Sequence, residues 1–205
     1  MSKNTIRLYL FLTLVKRMGI SFISATYVMF LISRGLNLFE VNLVNFVFFT
    51  TLFFCEIPTG AVADVFGRKA SFVVSCFLLS TSMFLYSAMG SFWGFAFAEF
   101  VAAMGFTFST GAFQAWVVDK LQNENYKGSL GSVFVKEQQI THVAGIIGAL
   151  LGAFLADKNI VFPWIAGGGV FFFLRIIGDG VHERGVLCSA KILRKRGASF
   201  YEKHC

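Results

Sequence analysis

The densest chemistry in this chain lies in ten residues, Gly60-Ala61-Val62-Ala63-Asp64-Val65-Phe66-Gly67-Arg68-Lys69. A carboxylate, two glycines and an Arg-Lys pair sit here between two long apolar runs. The connection is too short to form a domain, so its charges act at the mouth of a helix pair. Other ionisable side chains fall inside the apolar runs themselves. Wherever such a run lies in lipid, a charge near its middle costs from about 2.5 kcal/mol upward, which makes each one a functional candidate.

Their faces separate these candidates. Arg17 continues into Ser21 and Ser24, small polar groups suited to lining a cavity, whereas Lys16 shares its face with Ile20 and Ile23 and is expected to snorkel toward the surface. Glu99 stands on a face continued by Ala103, Phe106, Thr110 and Phe113. A lone carboxyl in such a wall suits either reversible protonation or a structural hydrogen bond. His142 shares a face with Gln138 beside a glycine stripe, which fits a substrate contact or simple packing, and Gln114 is a lesser candidate of the same kind. Glu56 lies one turn before Gly60 and is followed by Pro58, which removes a backbone donor and can bend the helix end.

Ser109 and His142 also raise a different class, an intramembrane serine protease. The G-x-S-G string is absent, since the chain reads Phe108-Ser109-Thr110-Gly111, and that chemistry leaves residues 60–69 without a role. No C-x-x-C spacing occurs among Cys55, Cys76, Cys188 and Cys205, so neither a metal nor a cofactor is expected.

The elements that must position these residues follow from composition. Of 205 residues, 56% are apolar, 27 are phenylalanine and only 14% are charged, a balance that belongs in lipid. A span needs about 20 apolar residues. Six segments qualify: 8–32, 41–63, 70–89, 93–118, 133–156 and 160–177. An open sheet could not satisfy its backbone there, so these are helices. The first lacks a small-residue cleavage site and is read as a retained span.

Basic residues set the orientation. Lys3, Arg7, Arg68, Lys69, Lys120, Lys127, Lys136 and the tail cations from Arg184 to Lys203 fall on one side, with only Arg34 and Lys158 on the other. Both termini are therefore expected in the cytoplasm of a cell-membrane protein. The net charge of +7 then reflects topology and an anionic inner leaflet, with no need for nucleic acid.

The polar segment 119–132 separates two groups of three helices, and an odd number of spans in each makes the halves inverted repeats. Gly60 to Asp64 recurs approximately as Gly152 to Asp157. Ala98, Ala102, Gly105, Ser109 and Ala112 form a small-residue face on the fourth helix, as do Gly145, Gly148 and Gly152 on the fifth. Both faces are expected to pack within the bundle or against each other.

The string from Glu56 to Lys69 resembles the G-x-x-x-D-x-x-G-R-K motif that follows the second helix of the major facilitator superfamily, matched at Gly60, Asp64, Gly67, Arg68 and Lys69. The resemblance runs over about residues 8–164. It implies an all-α membrane fold: six transmembrane helices as two inverted three-helix repeats, forming the amino-terminal half of a twelve-helix transporter that moves a small organic solute by alternating access. It further implies a gating cluster of Asp64, Arg68 and Asp119, with Gly60 permitting close approach of another helix. The remaining partners would be the bilayer, protons if transport is proton-coupled, and a second six-helix half or a second copy that covers Arg17 and Glu99.

Two departures weaken drug and proton antiport: the fourth helix lacks the arginine common in proton-coupled drug exporters, and the fifth lacks their glycine-proline pair. Arg175 and Asp179 interrupt the sixth run, and 182–205 forms a basic tail beyond a 1–181 membrane domain. That tail reads as a cytoplasmic linker or as an end outside its natural reading frame. The latter would make the chain an inactive transporter fragment.

Overall fold

A computed structural model describes residues 2–178, so Asp179 and the tail 182–205 lie outside the described residues. Every regular element among them is α-helical. The helices are α1 (Ser2–Ser24), α2 (Tyr27–Ser33), α3 (Leu38–Phe66), α4 (Arg68–Ala88), α5 (Phe92–Ser109), α6 (Ala112–Asn123), α7 (Leu130–Lys158) and α8 (Phe162–Gly178).

The first predicted span is broken. α1 and α2 meet at an angle of 44°. Just before the break the Ser24 hydroxyl donates to the Ser21 carbonyl at 2.8 Å, a local bond that competes with the helical ladder. The fourth predicted span breaks as well, after Ser109. There Thr110 bonds back to the Phe106 carbonyl at 2.8 Å and Gly111 takes φ +72°, a conformation that glycine adopts without steric cost.

α3 starts at a reciprocal capping box, in which Asn37 accepts from the Glu40 amide at 2.9 Å and Glu40 accepts from the Asn37 amide at 2.8 Å. It runs through Pro58, where one backbone donor is missing and the Thr59 hydroxyl reaches back to the Cys55 carbonyl at 2.7 Å. The expected loop of residues 64–69 is nearly absent. Gly67 alone separates α3 from α4, and its φ of +94° explains why a glycine stands there.

Among the described residues four helices are long and apolar enough to span a membrane, with α5 and α6 taken as one, and the bent α1–α2 pair makes a fifth. α8 has the predicted place and character, but its seventeen residues extend only about 25 Å at 1.5 Å per residue, short of a hydrocarbon core of about 30 Å. The fold is thus an all-α multi-pass membrane architecture. Its outer surface agrees: α3 exposes Phe53 at 75% and Ile57 at 82%, and Ile146, Leu150 and Phe154 of α7 are exposed too. Water would not tolerate so large an apolar surface.

Both small-residue faces pack within the bundle, each against a different partner. A Cβ at Gly152 would overlap the Phe22 carbonyl, and one at Gly148 would press on Met18 and Ser21, so α7 lies close against α1. Gly105 brings α5 against Leu78 and Leu79 of α4. α8 fits between α1 and α4 through Gly167, which faces the Gly19 carbonyl and Met83, while the Ser80 hydroxyl donates to the Gly168 carbonyl at 2.9 Å. Where lipid removes any hydrophobic gain between helices, such close backbone approach supplies the packing energy.

Candidate functional site

Two polar sites emerge, one at each end of the bundle. At the α3–α4 corner, Arg68 is the first residue of α4 and its Nη1 lies 2.6 Å from Oδ2 of Asp119 on α6. The same nitrogen donates to the Ala115 carbonyl at 2.9 Å. A cation at a helix N-terminus opposes the helix dipole by about 0.3–1 kcal/mol, so Asp119 offsets an otherwise unfavourable placement. Beneath the pair, Tyr9, Phe72, Phe113 and Trp116 stack in one layer. Asp64 is exposed and makes no contact with this ion pair, and a Cβ added at Gly60 would meet nothing within 4 Å. Of the expected cluster, the chain itself joins Arg68 and Asp119.

At the other end lies Glu99, only 8% exposed. It is not a lone carboxyl in an apolar wall, because two phenols solvate it. The Tyr86 hydroxyl donates to its Oε2 at 2.8 Å and the Tyr27 hydroxyl to its Oε1 at 3.2 Å. Behind them the Tyr86 and Trp164 rings stack with centroids 4.1 Å apart, 12° from parallel. These groups border a cavity of about 320 Å³ between α1, α2, α3, α4, α5 and α8.

Lys16 turns inward, against the snorkelling expectation: its Nζ donates to the Ser109 hydroxyl and lies 5.5 Å from the centre of the Phe113 ring. Arg17 is the exposed member of the pair, with its guanidinium beside Gly145. Glu56 and His142 are exposed, and Gln114 reaches Glu137 at 3.4 Å. Ser109 and His142 are not paired, since Ser109 is held by Lys16.

Sequence reasoning missed Tyr27, Tyr86, Trp164 and the Lys16–Ser109 contact. Tyr86 was within reach, because the tight α4–α5 hairpin at residues 89–91 sets it opposite the start of α5. Tyr27 and Trp164 depend on the α1–α2 bend and the docking of α8, which no local pattern announces.

The Major Facilitator Superfamily profile matches residues 9–181. The chain belongs to that family. It is 22% identical over 151 residues to the uncharacterized MFS-type transporter YxaM of Bacillus subtilis (strain 168), a match covering 74% of this chain and 37% of the relative. It is 25% identical over 148 residues to the uncharacterized MFS-type transporter MJ1560 of Methanocaldococcus jannaschii, covering 71% of this chain and 36% of the relative. The chain thus spans little more than a third of the length of the curated relatives it matches. Major Facilitator Superfamily proteins are not enzymes, which removes the protease reading of Ser109 and His142. Among the described residues no group of three or more His, Cys, Asp or Glu is placed to hold a metal.

Proposed function

We propose that this chain is a secondary transporter, or half of one, that moves a small organic solute across the cell membrane by alternating access. In this reading residues 1–181 form six membrane helices as two inverted three-helix repeats, both termini are cytoplasmic, and 182–205 is a basic cytoplasmic segment. The observation that carries it is the pair formed by the motif residue Arg68 at a helix junction and Asp119 of α6.

A half-exposed ion pair contributes little to stability, about 0–1 kcal/mol, so it can break and re-form during a transport cycle. That is the property a gate needs. Gly60, Asp64, Gly67 and Lys69 complete the gating segment and present it to a second six-helix half or a second copy of the chain. Glu99, reached from the cavity, is the leading candidate for contact with the solute or with a coupled proton, and Arg17, Glu56, Gln114 and His142 are secondary candidates on more exposed faces.

The test is uptake of labelled organic solutes into proteoliposomes, by the chain alone and with its second half. Arg68→Ala and Asp119→Asn should abolish uptake that the unaltered protein shows. Uptake undiminished in both variants would sink the gating role.

A further inference from the structure

We propose that the cavity around Glu99 binds a small organic cation, with the Glu99 carboxylate as its counter-charge and aromatic rings as its walls. The proposal deepens the transporter reading and rests on it only for the claim that the bound cation is cargo.

The electrostatics of the site are incomplete without such a ligand. Glu99 is buried, and each of its oxygens accepts one phenol hydrogen bond. Neutral donors stabilise a carboxylate without cancelling its charge. Among the described residues no Lys or Arg forms an ion pair with it: Lys16 is engaged by Ser109, and Arg34 lies over the Phe30 ring at 5.2 Å. A buried carboxyl is stable when it is protonated or when its charge is paired, and a positive group in the cavity would supply that pairing.

The walls choose the kind of cation. Tyr27, Phe48, Tyr86, Phe106 and Trp164 line the cavity, and the faces of such rings attract a positive charge within about 6 Å of their centres. The Tyr86–Trp164 stack fixes two of these rings as a rigid wall. A hard metal ion is a poor fit, because calcium and magnesium sites are built on carboxylate, carbonyl and water oxygens. Glu99 is the one carboxylate in the lining, and most of its other side-chain oxygens are phenols and hydroxyls, weak ligands for such an ion.

Size decides against a proton alone. A proton needs no space, whereas about 320 Å³ lies at the small end of the range for ligand clefts, about 300–1,000 Å³. An ammonium or quaternary nitrogen bearing one aromatic or alkyl group matches the volume, the charge and the ring faces together.

The experiment is equilibrium binding of radiolabelled benzyltrimethylammonium to the full chain in detergent. Excess unlabelled cation, neopentylbenzene as its neutral isostere and phenylacetate as an aromatic anion serve as competitors. Saturable binding displaced by the cation alone is expected. Glu99→Gln should weaken it about tenfold or more, the loss of about 1.4 kcal/mol of charge pairing, while Tyr86→Phe, which keeps the ring, should bind more tightly than Tyr86→Leu.

Equal displacement by neopentylbenzene, or full-strength binding by a folded Glu99→Gln protein, would overturn the proposal. Should Glu99→Gln lose its helical circular dichroism, the isostere comparison on the unaltered chain decides. The two readings fail separately. Cation binding without uptake into proteoliposomes supports this site and counts against transport, whereas uptake of other solutes without cation binding overturns this site alone.

Discussion

Arg68 and Asp119, fifty-one positions apart, are joined at 2.6 Å across the start of α4 and the body of α6. The contact ties the shortest helix connection among the described residues, the single residue Gly67, to the far side of the α5–α6 break. Any movement of α6 relative to α4 must stretch it.

With side chains 34% and 52% exposed, the pair should contribute no more than about 1 kcal/mol to folding. Arg68→Ala and Asp119→Asn are therefore expected to lower the thermal midpoint only slightly and uptake severely. The exchange Arg68→Asp with Asp119→Arg should restore part of the uptake. A drop in midpoint that matches the loss of uptake would make the pair structural.

Two glycines that look alike in sequence should respond in opposite directions. Gly152→Ala places a methyl on the Phe22 carbonyl and should destabilise by about 1–3 kcal/mol. Gly60→Ala meets open space inside a helix and should stabilise by about 0.4–1 kcal/mol, chiefly by restricting the unfolded chain. Thermal unfolding in detergent, followed by near-ultraviolet circular dichroism, reads both.

The different behaviour of these glycines shows what sequence could and could not convey. The all-α character and the small-residue faces follow from local period and composition, so they were legible. The count of six spans was not matched: among the described residues four helices, or five with the bent α1–α2 pair, are long enough to cross a membrane. The partner of each face was not legible: Gly105 meets α4 and Gly152 meets α1, choices made by long-range packing. The fate of Lys16 was misread for the same reason. Adjacent positions on a helix point about 100° apart, and only the arrival of Ser109 from α5 decides which one turns inward. Glu99 was expected to need cover from a second half, whereas Tyr27, Tyr86 and Trp164 of the chain itself enclose it.

The proposed orientation is open to a direct measurement. With Cys55, Cys76, Cys188 and Cys205 replaced by serine, single cysteines at Gly90 and Asn159 should react with an impermeant thiol reagent from outside intact cells. One at Asn123 should react only after the membrane is opened. Labelling of Asn123 from outside would overturn the inverted three-plus-three arrangement.

The last prediction concerns what covers the motif face. A Cβ added at Gly60 would meet nothing within 4 Å, Asp64 is exposed without a partner among the described residues, and Arg17 is exposed on α1. An ionisable group turned toward lipid near mid-membrane costs from about 2.5 kcal/mol, a cost that falls on Arg17 more than on Asp64 near the end of α3. The chain is therefore expected to associate through its exposed polar positions, with a second half or with another copy of itself. Light scattering in mild detergent should give the mass of a dimer or a complex. Gly60→Trp, which fills the open space on α3 without touching the chain's own packing, should shift the mass toward the monomer while the helical circular dichroism stays unchanged. A monodisperse monomer that moves solute in liposomes would refute the need for a partner on this face.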